Sequence, residues 1–191
     1  GGGGRLGWHG ARAFRRFGGQ TLIAQDGPLF VPREEGDAAQ SLSDAFGGDG
    51  IEVRLNTRAI NVRVEGGQKL VDLVSDDYKS TVAVDAILTG TGRVPNVDGL
   101  NLEAAGVDYD NTVGIRVDDF LQTSNRRIYA AGAVCLKHKF THTADASARI
   151  VVQNALFLGR QRLSALLIPC VTSTDPGIAH VGLDVWQARE Q

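Results

Sequence analysis

The sequence predicts an α/β fold of Rossmann-like plan, on three observations. A glycine fingerprint, Gly2-Gly3-Gly4-Arg5-Leu6-Gly7, opens directly into a helical pattern and is followed by a short apolar strand. From residue 51 the hydrophobic period changes from helical to two. A nearly continuous apolar run, 84–93, then enters a glycine turn, as strands buried on both faces do.

In chain order, Leu6, Gly10, Ala13, Phe14 and Phe17 recur at helical spacing, with Arg12, Arg15 and Arg16 opposite, and Gly18-Gly19 ends the pattern. The three arginines read as an exposed helix face in preference to an anion patch. Thr21–Ala24 is a short strand, 26–34 is a loop with two prolines, and Ala38, Leu42, Ala45 and Phe46 mark a second helix closed by Gly47-Gly48. Ile51, Val53 and Leu55, then Ile60, Val62 and Val64, alternate with polar residues. With turns at 65–69 and 75–79, residues 58–83 form a β-meander. After Pro95 come short extended segments at Val113–Val117 and Ile128–Ala131. A long helix is expected from about His142 to Leu163, with Ala144, Ala148, Val151, Val152, Ala155, Leu156 and Gly159 inward and Asp145, Arg149, Gln153 and Arg160 outward. The tail 178–183 is one more strand, followed by the start of a helix.

A formal net charge of −2 provides no basic field for nucleic acid or an anionic membrane, and no apolar run reaches membrane-spanning length. Cys135 and Cys170 form no C-x-x-C pair, which points to free thiols in a reducing, cytoplasmic setting. His138, His142 and His180 are too scattered for a metal site. The absence of methionine and the opening run of glycines lead us to expect a fragment of a longer chain.

The fingerprint carries a physical rationale. Gly2 permits a tight turn, Gly4 lets main chain approach a pyrophosphate, and Gly7 allows close helix–sheet packing, while the helix N-terminus directs N–H donors at the phosphates. The following strand ends at Gln25, where a ribose-reading carboxylate belongs. Gln25 can bind ribose hydroxyls in part and repels a 2′-phosphate less, so NAD and NADP both remain open.

Taken together, residues 2–7, 11–18, "TGTGRVPN" (89–96), "TSNRRIYAAGAV" (123–134) and "TDPGIAHVG" (174–182) resemble the class I pyridine nucleotide–disulfide oxidoreductases. The resemblance covers nearly the whole chain and is closest to the dihydrolipoamide dehydrogenase and mercuric reductase branch. It implies a flavoprotein that uses FAD with NAD or NADP, passes hydride from nicotinamide to flavin, and reduces a disulfide or metal ion as a homodimer when full length. It further implies three parts. Residues 1–94 would be a partial NAD(P)-binding domain, 95–165 the C-terminal part of an FAD-binding domain, and 166–191 the start of a dimerisation domain. The redox C-x-x-x-x-C and the His–Glu acid–base pair of such enzymes fall outside these residues, so the isolated chain is expected to be inactive; a truncated or decayed dinucleotide-binding module is the alternative. The resemblance also implies that the first Rossmann strand falls before Gly1, and a sheet without it would be expected to hold a slot.

Carried over position by position, Gly2, Gly3, Gly4, Arg5, Leu6, Gly7, Trp8 and His9 would surround the phosphates, Gln25 the ribose, Ala59 the adenine, and Gly92 the dinucleotide backbone. Gly132 and Ala133 fall where the family has Gly-Asp against FAD. Lys139, Phe140, Thr141 and His142 lead into a helix whose N-terminus would face the flavin ring. Two departures weaken the sites: Ala133 cannot accept hydrogen bonds from FAD hydroxyls, and His9 replaces a glutamate expected near the nicotinamide. The 130–134 turn can also be read as purely structural, and His9 as a solvated helix residue.

Overall fold

The computed structural model describes residues 4–31, 36–183 and 185–189, and resolves the chain into two compact units, 1–92 with 169–191, and 93–168. In the first unit, α1 (Arg5–Arg16) leads to β1 (Leu22–Ala24), α2 (Gly36–Gly48) and β2 (Glu52–Arg54). β1 and β2 pair in parallel, with Ile23 opposite Val53, so β1–α2–β2 is a crossover unit of an α/β fold. The two-residue period then yields β3 (Arg58–Glu65), β4 (Gln68–Val74) and β5 (Lys79–Val84), an antiparallel meander in that order. Gly66 and Gly67, with φ of 57° and 82°, supply the turn between β3 and β4 that only a left-handed pair permits.

A charge hub holds the meander. Asp72 on the central strand accepts from Arg63 and Asn61 on β3 and from Thr81 on β5. The Arg63 bond foremost, then Thr81 and Asn61, holds the Asp72 carboxyl down at about 2.

The α1 register differs from expectation. Leu6, Phe14 and Phe17 are exposed, whereas Trp8, Ala11 and Arg12 are buried. Aromatic packing explains the rotation. The Trp8 ring meets Phe30 at 4.2 Å and Phe46 at 5.8 Å, in a core completed by Leu42 and Ile51. Arg12 is thus not part of an exposed face. Its Nε lies 2.7 Å from Asp49 Oδ2, and the guanidinium sits 5.7 Å from the Phe46 ring centre.

The expected strand at 84–93 is a second correction. Ladder pairing stops at Val84, and the peptide groups of 87–92 find no hydrogen-bond partner among the described residues. Ile87 and Leu88 are exposed. A buried strand needs a neighbour on each side, and no described strand pairs with this run.

The second unit starts with β6 (Tyr109–Asp110) and β7 (Gly114–Ile115), around a turn in which Asp110 Oδ1 accepts from the main chain of Thr112 and Val113. The core gathers Val97, Leu102, Val107, Ile115 and Ala130. The extended candidate at 128–131 makes a single bridge, Gln122 to Tyr129.

The long helix α3 runs Thr141–Leu156, ending before the expected Leu163. Leu158 is left-handed, φ 53°, and Phe157 N–H and Gly159 N–H both donate to Gln153 O, at 3.2 and 2.9 Å, which closes the helix. Its buried face is also rotated, to Thr143, Ser147 and Ile150, while Val152 and Leu156 are exposed. Ser147 can be buried because its hydroxyl is bonded on both sides, as described below.

The hairpin β8 (Cys170–Thr172) and β9 (Ile178–His180) belongs to the first unit, where Ile178 packs against the Trp8 cluster; α4 (Val185–Arg189) follows. β8 carried no two-residue pattern long enough to be read from sequence.

Candidate functional site

The first candidate site is the start of α1. Gly4 is the N-cap, in extended conformation, and its carbonyl accepts from Gly7 N–H at 2.9 Å. The first turn bears neither a capping side-chain hydrogen bond nor an acidic residue of its own, an arrangement that suits an anion. A Cβ on Gly4 would lie 2.9 Å from Gly90 O, so only glycine lets the helix start sit on the 87–92 run. Gly10, which otherwise weakens the helix, lies against the end of the exposed Leu88 side chain.

Gly2 and Gly3 lie outside the described residues. Arg5 begins α1, Leu6 is exposed, Gly7 is in the first turn, and Trp8 is wholly in the core. Gln25 stands at the end of β1, buried, with its main chain bonded to Arg54 O and Thr57 N–H. Ala59 is exposed on β3 opposite Leu73, next to a bulge, and Gly92 is exposed with φ 124°. His9 is half-buried; its Nε2 accepts from Ser173 N–H at 2.7 Å. A cleft of about 340 Å³ adjoins it, lined also by Arg12, Arg16, Phe17, Ser173 and Asp175.

The second candidate site is the 130–134 turn. Gly132–Val134 forms one 3₁₀ turn, with Gly132 buried at φ 79°. Gly132 N–H donates to Ser147 Oγ at 3.0 Å, and Ser147 Oγ–H donates to Ala144 O at 2.8 Å. A Cβ on Gly132 would stand 3.3 Å from the Ala144 Cβ. Ala133 points outward and is exposed. Neither the cleft beside α1 nor a groove of about 330 Å³ along Arg116–Arg126 includes this turn.

Phe140 caps α3 without a side-chain hydrogen bond, and Thr141 and His142 occupy its first turn, which again has no acid. Phe140 stacks between His138 and His142, at centroid distances of 6.2 and 5.3 Å. Lys139 Nζ donates to Leu136 O, and Arg93 Nη1 to Lys139 O. These four residues therefore converge on one helix start. Cys135 is half-buried, and desolvation pushes its thiol up to about 11, which disfavours the thiolate. Among the described residues no group of three His, Cys, Asp or Glu could hold a metal, and no helix is long and apolar enough to cross a membrane. Sequence reasoning missed Ser147, Ser173 and Asp49. Each acts through a partner far along the chain, which spacing does not reveal.

A glycine-capped helix lying against a parallel strand pair, with a meander after it, defines a Rossmann-like α/β protein. The chain belongs to the pyridine nucleotide-disulphide oxidoreductase family, which it matches over residues 2–148. Mercuric reductase from Lysinibacillus sphaericus is 32% identical over 190 residues, 100% of this chain and 35% of that protein. Dihydrolipoyl dehydrogenase from Thermus scotoductus is 30% identical, over 99% of this chain and 41% of its own length. The solved HOCl-induced flavoprotein disulfide reductase from Escherichia coli superposes with a TM-score of 0.89 at 30% identity, over 100% of this chain and 43% of that one. The chain thus spans less than half the length of these relatives.

Proposed function

We propose that these residues carry the dinucleotide-binding segment and the flavin-supporting segment of an FAD- and NAD(P)-dependent oxidoreductase that acts on a disulfide or a metal ion. In this reading 1–94 is part of the NAD(P)-binding domain, 95–165 part of the FAD-binding domain, and 166–191 the start of a dimerisation domain. When bound, the nicotinamide and flavin supply hydride transfer. The chain's own share is to bind and orient. Gly4, Gly7 and the N–H groups of the first α1 turn would receive the pyrophosphate, and Gln25 a ribose. The open N-terminus of α3, with Thr141 and His142, would stabilise negative charge on a reduced flavin. The observation that carries this reading is the contact of Gly4 with Gly90 O, which holds a helix start free of side chains where a phosphate can approach.

The fit to FAD is partial, because Ala133 provides no acceptor for hydroxyls on a turn otherwise held by the Gly132–Ser147 bond. That observation favours a second reading, a module that binds dinucleotide weakly and does not turn over. Neither Cys135 nor Cys170 can serve as a redox pair within the chain, so the 191 residues alone are expected to lack reductase activity. Calorimetric titration of the purified chain with NADH, NADPH and FAD tests both readings. Saturable NADH or NADPH binding that weakens on Gly4→Val supports the first. Absence of binding by all three at millimolar ligand leaves neither standing.

A further inference from the structure

We propose that His9 and Ser173 form a proton-sensitive clasp that fastens the turn of the β8–β9 hairpin to α1. Ser173 immediately follows β8, and its N–H donates to His9 Nε2 at 2.7 Å across 164 residues of sequence. An imidazole can accept only through a nitrogen without a proton. The bond therefore fixes the proton of neutral His9 on Nδ1. Adding a second proton abolishes the acceptor and sets two N–H groups against each other.

The surroundings add to this effect. His9, Arg12 and Arg16 lie at helical spacing on one side of α1 and line one cleft, with Asp175 facing them from the hairpin turn. Asp175 Oδ2 is already engaged with Arg16 Nη2 at 2.8 Å, and Asp49 with Arg12. No other described charged side chain lines the cleft. A charged imidazole would thus be a third cation on a face whose carboxylates are taken. The Arg16–Asp175 pair is exposed on both sides, 56% and 75%, and an exposed pair holds weakly.

Release stays local. Ile178 is packed on the Trp8 cluster and Thr172 is fully buried, so both strands remain anchored while 173–175 comes free and the cleft of about 340 Å³ opens. A carboxylate at position 9 would accept the same bond, but histidine is the side chain suited to act as a proton switch, which is what makes the attachment sensitive to protonation. The inference does not depend on the dinucleotide reading of α1.

The test uses the full chain labelled with ¹⁵N, followed from pH 8 to 5. The Ser173 amide signal should move with the same midpoint as the His9 ring protons. Its exchange protection, corrected for intrinsic pH dependence, should fall about tenfold, the equivalent of one hydrogen bond. In His9→Gln, whose amide oxygen accepts without titrating, Ser173 should stay flat. A Ser173 signal unchanged over this range, or one that still moves in His9→Gln, overturns the clasp. Should His9→Gln fail to fold, the wild-type midpoints decide: coincident values support the clasp and separate values overturn it.

Discussion

Replacing Ala133 by aspartate places a carboxylate on a turn whose neighbours are already fixed. Gly132 is tied to Ser147 at 3.0 Å and has no room for a side chain beside Ala144, whereas position 133 is exposed, so the new group meets open space. A charge-assisted hydrogen bond to a flavin nucleotide hydroxyl contributes roughly 1.5–3 kcal/mol. At about 1.4 kcal/mol per decade, Ala133→Asp should tighten FAD binding roughly ten- to a hundredfold. Titration of FAD fluorescence measures it, with circular dichroism and thermal melting to show that the fold is unchanged. Ala133→Asn, a neutral acceptor, should fall between the two. If Ala133→Asp folds normally yet binds FAD no more tightly than the wild type, the turn does not face the flavin nucleotide, and the reasoning fails.

Other outcomes follow from the same geometry. Ser147→Ala leaves the buried Gly132 N–H without a partner and should destabilise the second unit by about 1–3 kcal/mol, read as a lower denaturation midpoint. With its thiol near 11, Cys135 should alkylate at pH 8 about two-hundredfold more slowly than an ordinary cysteine, measured by mass spectrometry of labelled peptides. Asp72 has its folded value lowered to about 2 from 3.8, so its contribution is complete above pH 4–5 and is lost as the pH falls toward 2. A ¹³C titration of its carboxyl should find that low midpoint, and Arg63→Ala should raise it. Amides of 87–92, which lack partners among the described residues, should exchange with solvent faster than those of β4.

How much of this was legible in the sequence depended on whether a signal was local. The meander and its Gly-Gly turn were legible, because alternation and turn chemistry are properties of neighbouring residues. The start of α3 and the separate elements β1, α2 and β2 were legible for the same reason, whereas the parallel pairing of β1 with β2 was not. The buried face of α1 was not, since Trp8 is drawn inward by Phe30 and Phe46 from a loop and another helix, and Arg12 goes inside beside Asp49 and the Phe46 ring. Apolar character misled at 84–93, where hydrophobicity marks a strand but pairing requires a neighbour. The α3 face was misread because a serine reads as polar until its bond to Gly132 is seen. The lack of an acceptor at Ala133 was plain from the sequence; the Ser147 hydroxyl that ties the turn to α3 was not.

That last point bears on thermodynamics. Because α3 holds the 132–134 segment through a hydroxyl of its own, a nucleotide arriving there would meet a surface organised beforehand. Association should proceed without an ordering penalty from this loop, leaving the heat capacity change to report apolar burial by the ligand alone.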